Sequence, residues 1–74
     1  TSMCDEIVLR DAVNGFVRRL PDPARTVFVQ RYWYVRAVAD IAEEQGMSEN
    51  AVWVKLHRTR ERLRDYLVER GYRL

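Results

Sequence analysis

An all-α fold, four helices forming a small domain with a C-terminal helix-turn-helix, is what this sequence predicts. Apolar residues recur along most of the chain at the 3.6-residue period of a one-sided helix. Two clusters of helix breakers, Leu20-Pro21-Asp22-Pro23 and Gly46-Met47-Ser48, punctuate the periodic stretches. No Gly/Ser/Pro-rich stretch, low-complexity tract or repeat intervenes, so residues 1–74 read as one domain without a linker.

In chain order, the first helix is expected from about Met3 to Arg19. Ser2 is its N-cap and Asp5 adds negative charge to the first turn. Leu9, Val13, Phe16, Val17 and Leu20 form its apolar stripe, and Gly15 within it costs about 1 kcal/mol relative to alanine. Asp22 caps the second helix, and Pro23 takes its first position, where a missing N–H is no loss. That helix is expected to reach about Tyr34, with Ala24, Val27, Phe28, Arg31 and Tyr32 on one face. The third helix is short, from about Val38 to Gln45, with Val38, Ile41 and Ala42 inward. Gly46 stops it by adopting positive φ. Ser48 caps the last helix, from Glu49 to about Glu69. At about 100° per residue, Val52, Leu56, Thr59, Leu63 and Leu67 fall on its core side, and Asn50, Val54, His57, Arg58 and Glu61 fall opposite.

Length limits the core, because a 74-residue chain buries only about 60% of the surface its unfolded form exposes. The formal net charge is +2, but it is unevenly spread. From Trp53 onward, Lys55, Arg58, Arg60, Arg62, Arg64, Arg70 and Arg73 face only Glu61, Asp65 and Glu69, whereas Asp40 to Glu49 is acidic. A basic helix on a nearly balanced chain reads as a surface for a polyanion, the alternative being a solvated, partnerless face.

Cys4 is the only cysteine, which excludes an internal disulfide or a multi-thiolate metal site and fits an inert thiol in a reducing cytoplasm. No run approaches the ~20 apolar residues of a membrane span, and no segment resembles a signal peptide. Thr1-Ser2-Met3 reads as an expression scar, with the chain a piece of a longer protein. There is no Ser/His/Asp arrangement with supporting glycines, no phosphate-cradling loop and no metal-ligand spacing. The chain is therefore expected not to be an enzyme and to use no cofactor and no metal.

Residues 38–57 read as helix, tight turn, helix. Such a pair needs a small residue at the helix crossing, a glycine to reverse the chain and apolar residues to clamp the second helix. Ala42, Gly46, and Met47 with Val52 and Leu56 fill those roles. The second helix can then enter the major groove of double-stranded DNA by its N-terminal end while the first lies across the backbone.

Leu20-Pro21, Val27-Phe28, Arg31-Tyr32, Ile41-Ala42-Glu43, Gly46-Met47-Ser48-Glu49, Val52 and the run from Leu56 to Arg64 together resemble region 4 of the bacterial sigma-70 family of RNA polymerase sigma factors. The nearest group is the extracytoplasmic-function type, whose members often carry a similar Leu-His-Arg-Ala-Arg run. The resemblance covers about Leu20 to Leu67. It implies recognition of the promoter −35 element, docking on the β flap of the polymerase core and sequestration by an anti-sigma factor. Two departures stand out. The family usually caps the third helix with Ser or Thr, where this chain has Ala37, preceded by Arg36 in place of the common Leu. A lost cap costs ~1 kcal/mol, so this helix start should fray or be held by other means. The family also often has a basic or small polar pair where this chain has Trp53 and Val54, which bears on both the promoter read and the strength of binding.

The expected DNA-binding residues are Ser48, Asn50, Ala51, Val54, Lys55, His57 and Arg58. Asn50 can bond adenine through both amide groups and Ala51 can touch a thymine methyl, unless Asn50 only supports the helix start. Lys55 and Arg58 suit phosphates better than bases. His57 has no carboxylate or thiolate cluster to make it catalytic or metal-binding. Trp53 has three readings: packing on the stems of Arg60 and Arg64, which is favoured; contact with sugar–phosphate; or, with Val54, a patch for a protein partner. Glu61 is expected to pair with Arg58 or Arg64, and Asp65 with Arg62. Tyr32, Trp33 and Tyr34 are expected mostly in the core and its rim, with Tyr32 and Trp33 also a docking ridge for polymerase. The competing functions are a protein-interaction module on the same scaffold and the output domain of another helix-turn-helix regulator.

Overall fold

The computed structural model describes residues 3–73, and of residues 3–5 and 7 the backbone alone. The helices are α1 (Met3–Arg19), α2 (Ala24–Tyr32), α3 (Val38–Gln45) and α4 (Glu49–Glu69). The Ser2 cap, the charge of Asp5 and the side chain of Cys4 lie outside the described residues.

α4 is the spine, and each of the other helices packs on it. Its inner side buries Val52, Leu56, Thr59 and Leu67, with Leu63 packed against the core's edge, as the 100° spacing requires. Thr59 sits among apolar neighbours without an orphaned hydroxyl, because its Oγ1 donates to the Lys55 carbonyl at 2.8 Å. Val27 of α2, Ile41 of α3, and Val52 and Leu56 of α4 are the largest wholly enclosed side chains. Burying each contributes about 1.5–3 kcal/mol. Phe16 and Val17 of α1, with Leu20 just past its end, close the core. Leu9 does not: it is 37% exposed, in an open hollow it shares with Val13 and Trp33, so the expected stripe is covered mainly in its C-terminal half.

α2 begins at Ala24, one residue later than expected, so Pro23 takes the cap position in place of Asp22 and is not the first helical residue, while Asp22, just before it, still accepts a first-turn N–H. Asp22 Oδ1 accepts the Thr26 N–H at 3.1 Å and the Thr26 hydroxyl at 2.7 Å, and Oδ2 accepts from Arg25 at 2.9 Å. α2 ends at Tyr32, two residues short of expectation. The Trp33 and Tyr34 N–H groups both close on the Val29 carbonyl, and the Arg36 N–H reaches back to the Gln30 carbonyl. Val35 then turns the chain at φ +52°. A left-handed conformation costs an L-residue about 1–2 kcal/mol, and a β-branched one suits it poorly. The turn is held by Arg31, whose guanidinium donates to the Arg36 carbonyl at 2.9 Å.

The α3–α4 turn follows the expected chemistry. Gly46 sits at φ +65°, its N–H bonds to the Glu43 carbonyl, and the Met47 N–H closes on the Ala42 carbonyl at 2.9 Å. Met47 then packs against the core, fixing the direction in which α4 departs.

Candidate nucleic-acid interface

The start of α4 is built to present side chains outward. Ser48 adopts extended backbone, and its Oγ accepts the Ala51 N–H at 3.0 Å, satisfying one of the unpaired donors of the first turn. With Val52 and Leu56 enclosed, the helix cannot rotate without exposing its core side. Asn50, Val54, His57 and Arg58 therefore all stand exposed on the opposite face, with Ala51 and Lys55 half-buried at its border. These sequence-predicted residues share one continuous surface with the capping Ser48.

Glu61 stands on the same face, but its partner is not an arginine. Its Oε1 lies 2.9 Å from His57 Nε2, one helical turn away. This leaves Arg58 and Arg64 without the pairing expected of them, and among the described residues no ion pair joins Asp65 to Arg62. His57 and Glu61 stand at i and i+4, a spacing that brings side chains together on one helix face.

Trp53 is 44% exposed, so it stands at the edge of the fold and is not enclosed. It lies beneath Arg31 of α2, whose guanidinium carbon is 5.4 Å from the ring centroid. Arg60 turns to the end of α2, donating to the Tyr32 hydroxyl at 2.9 Å. Tyr32, Trp33 and Tyr34, expected mostly in the core and its rim, are all exposed, so none of them belongs to the core. Tyr32 and Trp33 rest on the buried Phe28, with ring centroids 4.8 and 6.2 Å away. Of the two, Tyr32 meets α4 through Arg60, while Trp33 lies beside α1, sharing hollows with Val13, Asn14 and Val17.

Ala37 offers no side chain to cap α3, which begins without that hydrogen bond. Arg36 supplies a substitute. Its guanidinium donates to Gln30 Oε1 of α2 at 3.2 Å and pairs with the Glu44 carboxylate near the other end of α3. The hydrogen bond from Arg36 holds the Glu44 carboxyl below its ordinary value, and Glu44 raises that of Arg36. Asp22 is likewise lowered, chiefly by the Thr26 hydroxyl. The residue that departs from the usual pattern thus tethers α2 to the first helix of the pair.

The contacts that Arg31 and Arg60 make, and the place of Arg62 beside Lys55 and Arg58, were not among the sequence expectations. Arg31 and Arg60 act across helices, through neighbours that a single-helix projection cannot show. Arg62 did carry a signal: it stands at i+7 from Lys55 and i+4 from Arg58, on one side of α4.

A family model described as Sigma-70, region 4, matches residues 10–63, from within α1 to within α4. No curated protein and no solved structure matches the chain.

Proposed function

The chain belongs to the Sigma-70, region 4 family, whose helix-turn-helix domains bind DNA in sigma factors and related regulators, and on that premise we propose that it reads the promoter −35 element as the DNA-binding part of a sigma factor. One observation carries this reading: the Ser48-capped start of α4 projects Asn50, Val54, His57 and Arg58 together, away from the core. Asn50 bonds a base edge, Val54 and Ala51 meet apolar base edges such as the thymine methyl, and Arg58 and Lys55 hold phosphates. The polymerase core engages through its β flap, with Tyr32 and Trp33 as the candidate contact, and an anti-sigma factor is a further partner. The domain works in the cytoplasm, by binding alone, without catalysis, cofactor or metal.

The exposure of Trp53 beside Val54 favours a second reading, a protein-interaction module on the same scaffold. Selection from a randomised duplex library at a stated salt concentration separates the two. The first reading expects one short motif to be enriched. Folded protein that enriches none would leave the interaction module.

A further inference from the structure

The cations of α4 differ in what already holds them. Arg60 is committed to Tyr32, and Arg31, facing the same flank, is committed to Trp53. Lys55, Arg58 and Arg62 have no ion pair or side-chain hydrogen bond within the described residues. All three line a single cleft of about 420 Å³ between α4 and the start of α2, whose apolar lining includes Ala24, Met47 and Val54. Among the described residues, no carboxylate lines it.

We infer that this cleft seats the sugar–phosphate backbone of one DNA strand, with Arg62 as a third phosphate contact beyond Lys55 and Arg58; the inference rests on the duplex-binding reading above. The geometry favours a polyanion over a single ion. Residues at i, i+3 and i+7 stand one above another on a helix and span about 10 Å at 1.5 Å per residue. One strand of a duplex carries a phosphate every ~3.4 Å of axis, so the row faces more than one of them. The apolar lining accommodates sugar carbons without stranding a polar group. On the flank bearing Trp53 and Arg60, by contrast, Arg31 and Arg60 are already engaged, which leaves Arg64, farther from the start of α4, to act as a cation there. The strand in the cleft therefore takes most of the direct charge contact, which fixes the direction from which the duplex meets α4.

Affinity for a random-sequence duplex, measured against salt for single variants, tests this. Each neutralised phosphate contributes about −0.9 to the slope of log K against log salt. Arg62→Ala should flatten the slope by about that amount, Arg62→Lys should restore it, and Arg60→Ala should leave it unchanged. Arg62 has no internal partner to lose, so its variants should melt like the parent. If Lys55→Ala and Arg58→Ala flatten the slope while Arg62→Ala does not, the duplex reading stands and the strand seat is wrong. Equal flattening by Arg60→Ala and Arg62→Ala would also overturn the seat, because the charge would then act diffusely. A parent chain that binds no duplex would overturn both.

Discussion

On the flank of α4 that faces the end of α2, an arginine lies over Trp53 and another donates to Tyr32. On the flank that faces the start of α2, Lys55, Arg58 and Arg62 line an open cleft with no internal partner. The two flanks belong to one helix and carry similar charge, but they hold it in different states. A cation already stacked or hydrogen-bonded must give up those contacts before it serves another ligand, whereas a solvated one gives up only water. Counting Lys and Arg along α4 therefore overstates the surface available to DNA, and partnering locates it.

Both flanks depend on the same buried seam, so the largest effect should come from removing it. Leu56 is 1% exposed at the contact between α4 and the rest of the core. Leu56→Ala should cost about 2–5 kcal/mol, a large share of a small domain's stability. A denaturant titration should show both flanks lost in one transition. A cost well under 1 kcal/mol would mean that α4 is not anchored as described.

Trp53→Ala acts on the engaged flank alone. An indole buried among arginine stems would cost about 3–5 kcal/mol on truncation. One half in solvent under a single guanidinium should cost nearer 1 kcal/mol, a fall of roughly 4–8 °C in the melting midpoint. The salt slope of duplex binding should not change. A loss of several kcal/mol would restore the buried reading of this residue.

Acid should give the smallest effect, through the tether at the start of α3. The Glu44 carboxyl is held below its ordinary 4.5 by the hydrogen bond from Arg36. Its contribution is thus fully present above pH 4.5 and fades as pH falls through the lowered value. Asp22, lowered from 3.8, acts in the same direction at slightly lower pH. Melting midpoints should decline below about pH 4.5, and Glu44→Gln should flatten the upper part of that decline. In the same pH range Arg36 loses its carboxylate partner but keeps its hydrogen bond to Gln30, and its carbonyl still accepts from Arg31, so the contrast between the flanks should stay intact.

What the sequence revealed followed its local punctuation. Gly46 and Ser48 are unambiguous stop and start signals, and α3 and α4 begin and end where expected. The end of α2 was not legible, because Val35 makes a left-handed turn without the glycine that usually announces one, and Trp33 and Tyr34 continue an apolar pattern past the last helical turn. Periodicity placed Leu9 on the apolar stripe but could not say how much of that stripe the rest of the fold covers. The outward set of α4 was legible because its inner set is strongly apolar. The partners of Trp53 and Arg60 were not, since both lie on α2, and the long-range approach of two helices leaves no trace in the spacing of either.

The central claim is that the exposed start of α4 reads base sequence, and Asn50→Ala tests it most directly. Asn50 is exposed beside a cap made by Ser48, so its loss should leave the melting midpoint nearly unchanged. On the site selected from the library, affinity should fall by ~1–3 kcal/mol and preference should relax at one base pair, with little loss on random duplex. An equal fall on selected and random DNA would contradict the account, because Asn50 would then support the helix without reading a base.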